Sequence, residues 1–391
     1  MTRNIGIGFS LLVISFILIG GDFIYADSPT DIILKETTEN LNTDQVEQYW
    51  KNLLKEYGGY FPGNNPSLMD MILSGGKDFS LSQVFMGLLK YLLHEILYNG
   101  KLLVTIVILA VFSMILETLQ SAFERNSVSK VAYAVSYIVL IIIVINSFSV
   151  AIGYAKTAIE NMIHFMIAMI PLLLTLLVSM GSFATASIMH PLIIFMIHTT
   201  GTLIYTVVFP LLFFSAVLHI VSSISDKYSV SQLADLLRNI SIGIFGALVT
   251  VFLGVISVQG ATSAVSDGVT IRTAKYVTSN FVPVIGRMFS DASDTVIGAS
   301  LLVKNAIGLV GVVILIFLCV FPAIKILTLA LIYNLSAAIM QPLGDSPIVK
   351  CLFTIGKSMI YVFAALAAVG LMFFLAITII ITAGNVSVMM R

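Results

Sequence analysis

The chain has 391 residues, of which 58% are hydrophobic and only 10% charged, and its mean hydropathy is +1.04. Soluble domains carry about 45–50% apolar and about 25% charged residues, so this composition excludes an ordinary soluble protein. Acidic and basic residues balance at 20 each, which gives no reason to expect binding to nucleic acid. Apolar runs of about 18 residues or more recur, and they predict an all-α, polytopic helical membrane protein.

Residues 1–26 have the pattern of a secretory signal peptide. Arg3 supplies a positive charge, residues 5–21 are apolar, and Ala26 stands at the −1 position of a cleavage site. An uncleaved first membrane anchor is the alternative interpretation. Cleavage would place residues 27–100 outside the cytoplasm.

Residues 27–100 predict a small helical region with two amphipathic helices, at 43–57 and 80–101. Such helices lie in the headgroup region of a bilayer or dock on partner helices. A small, self-packed helical cap is the alternative. The candidate contacts for a docking partner are Trp50, Tyr57, Lys90 and His94.

Residues 101–391 form the predicted membrane domain, with about seven spans. The apolar segments are 101–119, 131–151, 162–180, 187–221, 240–258, 306–333 and 358–383. With seven spans and a cleaved signal peptide, the distribution of Lys and Arg places Arg272, Lys275 and Arg287 on the same side as Arg125 and Lys130.

The membrane domain contains a candidate internal repeat. An offset of 112 residues aligns Pro171 with Pro283 and Pro210 with Pro322. The two copies would cover about 131–239 and 240–383. Internal repeats are common in transporter folds, where helices break near the middle of the membrane.

Residues 266–295 are a polar interruption and the first candidate functional segment. One interpretation is a cytoplasmic loop that carries a surface helix. The other is a short, membrane-embedded pair of helices hinged at Pro283, because charges are tolerated at that depth only where they face protein or water. The candidate residues are Arg272, Lys275, Arg287, Asp291 and Asp294.

Lys325 is the candidate intramembrane charge, since it follows Pro322 in an otherwise apolar run. The histidines lack the spacing that a metal site needs, and there is no phosphate-binding glycine loop. We therefore expect no catalytic residue, metal or cofactor, and any ATP hydrolysis would come from a partner.

The segment TAKYVTSNFVPVIGRMFSDASDTVIGASLLVKNAIG (273–308), together with the signal peptide, exported region and spans, resembles the stage III sporulation protein AE family. The resemblance implies a multi-pass component of the mother-cell membrane around the forespore, with residues 27–100 in the intermembrane space. It also implies a channel that joins mother cell and forespore, with other membrane proteins, ring-forming proteins and a separate ATPase as partners. This chain would be the non-enzymatic, permease-like part.

Two functions are therefore considered. The first is the membrane core of a multi-protein secretion or feeding channel that forespore development requires. The second is a stand-alone secondary transporter that binds a small solute or ion. The scarcity of charge within the spans disfavours the second, because ion-coupled carriers usually need carboxylates there.

Overall fold

The computed structural model describes residues 43–61, 66–74, 81–122, 127–224, 230–281, 285–344 and 346–389. The predicted signal peptide, residues 1–26, lies outside the described residues. Every element within the described ranges is helical, which confirms the predicted fold class.

The region before the membrane domain contains three helices. They are α1 (Asp44–Tyr57), α2 (Leu68–Ser74) and α3 (Leu81–Tyr98), and a short 3-10 turn, Gly58–Tyr60, follows α1. Helix α1 buries one face, with Trp50 and Tyr57 at its centre and end. Asp44 and Glu47 lie in its first turn, where carboxylates interact favourably with the helix dipole. Both predicted amphipathic helices are therefore present.

Seven further helices form the membrane domain. They are α4 (Gly100–Ala122), α5 (Ser127–Ser179), α6 (Phe183–Leu203), α7 (Phe209–Ile224), α8 (Ser231–Phe281), α9 (Ile285–Met340) and α10 (Pro347–Met389). A π-turn, Ile204–Val208, joins α6 to α7 without a break. By length and composition, six continuous helical stretches among the described residues could cross a membrane.

The expected seven segments become six because 131–151 and 162–180 lie on one helix, α5. The residues between them include Lys156 and Glu160, which made them resemble a polar connection. Ala155 and Ala158 on the opposite side of this stretch are buried in the bundle, so packing continues the helix through it.

Five of the six stretches contain 40–49 residues. At about 1.5 Å per residue a helix of that size is about 60–75 Å long, roughly twice the hydrocarbon thickness of a bilayer. Individual contacts pair segments of these long helices in two groups, so we divide the bundle into two halves. We define the lower half as 100–122, 131–150, 209–224, 231–250, 325–343 and 347–365, and the upper half as 155–179, 183–203, 252–273, 296–320 and 366–386.

The lower half is held together by contacts between α5 and both α7 and α9. The hydroxyl oxygens of Tyr137 and Ser223 lie 2.9 Å apart. The Tyr333 hydroxyl donates to the carbonyl oxygen of Ile143 at 3.4 Å. These contacts place the beginning of α5 beside the end of α7 and the last third of α9.

The upper half has small residues at several of its helix contacts. An added Cβ at Gly260 of α8 would lie 2.7 Å from Cγ2 of Ile379 in α10. An added Cβ at Gly308 of α9 would collide with Ile381. Small residues allow such close approach of helix backbones in membrane proteins.

Two glycines with positive φ close the turns at opposite ends of the bundle. Gly181 (φ 84°) lies between α5 and α6, and Gly344 (φ 135°) lies just before α10. Side chains other than glycine rarely adopt this backbone conformation. The sharp reversal of direction at both ends therefore depends on glycine.

With six crossings, Lys130 and Arg272 lie at opposite ends of the bundle. Lys130 is in the first turn of α5, whereas Arg272 lies on α8 beyond its contact with the beginning of α6. The seven-span expectation placed both residues on one side of the membrane, whereas six crossing helices would place them on opposite sides. The 112-residue repeat stays a prediction.

Region 43–61 and helix α3 dock where the two halves meet. The Tyr57 ring stacks on Phe321 of α9 with centroids 4.0 Å apart, and Tyr49 meets Phe165 of α5 edge to face at 5.6 Å. Tyr91 of α3 contacts Phe321 as well, at 5.0 Å. Burial raises the pKa of both Tyr57 and Tyr91, so their phenols stay protonated at neutral pH.

Candidate functional site

The polar segment 266–295 is neither a plain loop nor a separate short helical pair. Helix α8 continues to Phe281 and α9 begins at Ile285, so the segment consists of the ends of two long helices. Pro283, the expected hinge, lies outside the described residues. Arg272 is exposed. The side chains of Lys275, Arg287, Asp291 and Asp294 also lie outside the described part, so a role for these residues stays a prediction.

Asp267, at the beginning of this segment, is buried and binds the N-terminus of another helix. Its carboxylate accepts the backbone N–H groups of Ala184 at 2.9 Å and Thr185 at 3.0 Å. These are among the first N–H groups of α6, which have no partner within their own helix. The cap residue Ser182 makes no side-chain capping bond, so the capping carboxylate comes from α8.

Lys304 is the second buried charge in the upper half, and it is 0% exposed. Its ammonium donates to the Ile381 carbonyl oxygen at 2.9 Å and to Oδ1 of Asn385 at 2.8 Å, both in α10. Gly384 faces the same ammonium, and an added Cβ there would collide with it. Within the described ranges Lys304 makes no salt bridge, and the two oxygen atoms that its ammonium binds there are both neutral.

The two buried charges lie at the same end of the bundle. Leu177 of α5 packs against Gly384 beside Lys304, and its carbonyl oxygen accepts the backbone N–H of Ser182 at 2.9 Å. Asp267 binds the helix that starts at the next residue. Together these contacts tie α5, α6, α8, α9 and α10 around the turn at Gly181.

A different group of charges occurs in the lower half, where α7, α8 and α10 meet. Asp235 of α8 lies 3.3 Å from Nε2 of His219 in α7 and pairs with Arg238 one turn later. The Arg238 guanidinium stands 5.3 Å from the ring centroid of Tyr361 in α10. Lys357 lies one helical turn before Tyr361 on α10. We call His219, Asp235, Arg238 and Lys357 the charged cluster.

The charged cluster is partly exposed, unlike Asp267 and Lys304. The side chain of Asp235 is 46% exposed and that of Arg238 is 21% exposed, and Lys357 is also exposed. Large apolar side chains, Leu233, Leu236 and Ile240, are exposed on the same helix. Ionisable groups within spans face water-filled cavities, the bundle interior or a charged partner rather than lipid. The cluster therefore marks a surface for water or another protein.

Lys325 is not an isolated intramembrane charge. Its ammonium lies 3.4 Å from a carboxylate oxygen of Glu56 and 5.4 Å from the ring centroids of both Tyr57 and Tyr154. It thus links α9 to the last turn of α1. This partner was not predicted, because 269 residues separate Lys325 from Glu56.

The four candidate docking residues fall into two groups. Trp50 is 1% exposed and donates its indole N–H to the Pro66 carbonyl oxygen at 2.8 Å, and Tyr57 is 6% exposed. Both hold region 43–61 on this chain's own helices. Lys90 and His94 are exposed on α3. Partner binding at these four residues stays a prediction. Of the four, only Lys90 and His94 are exposed and so available to contact a partner.

No group of three or more His, Cys, Asp or Glu side chains is arranged to hold a metal in the part of the chain that the structure describes. Cys319 and Cys351 are free thiols buried in the bundle. Among the described residues the arrangement therefore offers buried charges that join helices and a partly exposed charged cluster.

The residues of the charged cluster were missed because only one of their relations is visible in the sequence. Asp235 and Arg238 are three residues apart, which is a helical ion-pair spacing. His219 and Lys357 join them only through the packing of α7 and α10. Asp267 and Lys304 lie in or beside the polar segment, where nothing in the sequence separates a buried charge from an exposed one.

The model of the family described as stage III sporulation protein AE matches residues 64–384. A relative from Bacillus subtilis (strain 168), named stage III sporulation protein AE, is 53% identical over 359 residues. The match covers 92% of this chain and 90% of that protein. No solved structure matches the chain.

Proposed function

The chain belongs to the stage III sporulation protein AE family, and from this premise we propose that it is the permease-like membrane subunit of a channel between mother cell and forespore. Family membership supports a role in sporulation, and six long apolar helices make the chain a membrane protein. The channel would serve secretion or feeding and would be required for forespore development. The chain itself would act without catalysis.

The observation that carries the channel role is the charged cluster in the lower half. His219, Asp235, Arg238 and Lys357 come from three helices and share one partly exposed site within otherwise apolar stretches. Exposing ionisable groups to hydrocarbon costs about 2.5–3.5 kcal/mol each at the centre of a span. A cluster that faces a hydrated path, or a neighbouring subunit that completes one, avoids that cost.

The proposed location is the mother-cell membrane that surrounds the forespore, with residues 27–100 in the intermembrane space. The proposed partners are ring-forming proteins on that side, other membrane proteins of the channel and a separate ATPase. Exposed Lys90 and His94 on α3 are the surface we assign to a ring-forming partner.

The first experiment tests the charged cluster in a spore-forming host that lacks its own family member. Lys357→Met and Arg238→Met keep the length of the side chain and remove its charge. We expect both variants to accumulate in the membrane at the normal level while heat-resistant spore formation falls. Lys156→Met, in a half-buried lysine outside the cluster, is the matched control and should sporulate normally. Normal sporulation of both cluster variants would remove the support for a hydrated path here.

The second experiment separates a channel subunit from a self-sufficient carrier. The chain is purified in mild detergent from sporulating cells, and co-purifying proteins are identified. Membrane and ring-forming proteins together with an ATPase are the expected result. Counterflow of a small solute by the purified chain alone in vesicles would instead establish the stand-alone transporter.

A third experiment deletes residues 27–78 behind an intact signal peptide. If this region docks the ring-forming partners, the variant should insert into the membrane but fail to retain them. Normal assembly of the truncated chain would count against docking. The deletion leaves the assigned surface on α3 in place, so the double variant Lys90→Ala/His94→Ala tests that surface separately. It keeps the packing of Tyr57 and Phe61 on α9.

A further inference from the structure

The long helices exceed the thickness of a membrane, so a large part of each must lie outside it. Helix α5, with 53 residues, is about 80 Å long, whereas the hydrocarbon core measures about 30 Å. A tilt large enough to immerse the whole helix would far exceed the usual range of about 0–40°. The outer surface of α5 in each half indicates which part of this helix contacts lipid.

Helix α5 runs through both halves and allows a comparison within one element. Between residues 131 and 150 seven of the nine exposed positions are apolar: Val131, Ala134, Val135, Ile138, Val139, Ile142 and Val150. The other two, Asn146 and Ser149, lie close to the boundary with the upper half. Between residues 155 and 179 six of the eight exposed positions are polar: Thr157, Glu160, Asn161, His164, Thr175 and Ser179. The first surface suits hydrocarbon and the second suits water.

The docked region 43–61 also places the upper half in water. Helix α1 lies against the upper half, through Tyr49 and Phe165, and its outer face carries the ion pair of Lys51 and Glu47. A polar groove of about 400 Å³ separates α1 from α5, and its lining includes Gln45, Gln48, Asn52 and His164. A charged helix and a polar groove of this kind do not lie in hydrocarbon.

The level where the two halves meet has the composition of a membrane interface. The Lys325 ammonium lies between the rings of Tyr57 and Tyr154. The Tyr205 hydroxyl donates to the carbonyl oxygen of Lys156 at 2.8 Å. Tyrosines and lysines concentrate at the boundary between hydrocarbon and water.

We propose that the bilayer surrounds the lower half alone, and that the upper half stands out of the membrane on the side of residues 43–98. Six crossings then bring the end of α10 to that same side. The amphipathic helix α3 enters α4 at this boundary, where its exposed Phe85, Leu93 and Leu97 reach the membrane surface.

The sidedness follows from the connections at the bottom of the lower half. Segments 123–130, 225–230 and 344–350 contain Arg125, Lys130, Lys227 and Lys350. Positive residues close to the ends of spans mark the cytoplasmic side. At the upper boundary of the lower half lie Lys101, Lys156 and Lys325, whereas Arg272, Lys275 and Arg287 lie more than 20 residues along α8 or α9 from the lower half. The four positive residues at the bottom exceed these three by one. With residues 27–100 in the intermembrane space, as proposed above, we assign the upper half to the extracytoplasmic side.

Site-directed spin labelling in lipid bilayers tests this placement. Cys319 and Cys351 are first replaced by Ala, and single cysteines are introduced at Ile142, Thr175 and Ser187, which are all exposed. We expect the label at 142 to respond to dissolved oxygen, and the labels at 175 and 187 to a water-soluble nickel complex. Oxygen-dominated relaxation at 175 or 187 would overturn the proposal. So would a label there that responds to neither reagent, because the proposal requires water at both positions.

Reporter fusions after residues 228 and 391 test the sidedness independently in intact cells. An enzyme active only in the cytoplasm should work at 228 and fail at 391, and an enzyme active only outside should show the reverse. Equal behaviour of the two fusions would rule out six crossings. Neither test measures sporulation, so the placement and the channel role can fail separately.

Discussion

The charged sites that join helices in the upper and lower halves of the bundle differ in exposure. In the upper half Asp267 and Lys304 are buried, and backbone groups and one amide satisfy them. In the lower half Asp235, Arg238 and Lys357 remain partly exposed among apolar side chains. A buried charge with all its partners in the chain fixes the relation between helices. A partly exposed charge in an apolar surface keeps one side open, and the proposed hydrated path or neighbouring subunit would occupy that side.

The largest expected effect belongs to Asp267. Asp267→Ala leaves the N–H groups of Ala184 and Thr185 buried without an acceptor, and should destabilise the chain by about 2–3 kcal/mol. Asp267→Asn keeps one oxygen acceptor and should cost less. Thermal unfolding in detergent measures both, and hydrogen exchange should rise first at the beginning of α6. Equal losses for the two variants would show that charge, rather than capping, is what matters.

Gly384 tests the contact with Lys304. Gly384→Ala places a methyl group against the Lys304 ammonium and the Leu177 side chain, so we expect a loss of about 1–3 kcal/mol from overpacking. Gly254→Ala on α8 is the matched control, because a methyl group there meets nothing within 4 Å. The control should be neutral or slightly stabilising, since alanine favours helix more than glycine does. Similar melting temperatures for both variants would contradict the tight packing of Lys304.

The charged cluster should show the reverse pattern, with a small effect on stability and a large one on function. Asp235→Asn weakens the pairs with Arg238 and His219. Because Asp235 is about half exposed, we expect a loss below about 1 kcal/mol. Spore formation should nevertheless fall as it does for Lys357→Met. A variant that melts several degrees lower would mean that the cluster holds the helices together, as the buried charges of the upper half do.

The smallest expected effect is at the junction of the two halves. The Glu56 side chain is 60% exposed and lies 3.4 Å from the Lys325 ammonium. Glu56→Gln should therefore change the free energy of unfolding by about 0.5 kcal/mol or less. Limited proteolysis of region 43–61 is the sensitive measurement, and its rate should stay unchanged because aromatic contacts hold the region. Rapid cleavage would show that the ion pair, and not Tyr57, secures it.

The helices themselves could be predicted wherever one face is apolar and the other polar. The spacing of Trp50, Leu53 and Tyr57 predicted α1 and the face that it buries. The same reasoning divided α5 wrongly, because Lys156 and Glu160 interrupt its hydropathy although the helix continues. A hydropathy average does not register that the two charges lie on one side of a helix whose other side is buried.

The relations between helices could not be predicted. Asp267 and Ala184 are 83 residues apart, and Lys304 and Asn385 are 81 apart. The residues next to Asp267 and Lys304 in the sequence do not depend on these distant partners. Periodicity and spacing therefore give no sign of either contact. Trp50 and Tyr57 illustrate the same difficulty. An apolar helix face predicts burial, but it does not distinguish a foreign partner from the chain's own α5 and α9.

The π-turn Ile204–Val208 sets the rotation of α7 about the helix axis relative to α6. One extra residue in a helical turn rotates everything that follows by about 100°. The rotation brings Ser215 towards α8, where its hydroxyl donates to the Ala234 carbonyl oxygen at 2.7 Å. The π-turn lies at the level where the upper half meets the lower half. One continuous helix can therefore present faces in different directions above and below this turn. Removing Thr206 would turn α7 back by that angle and point His219 away from Asp235.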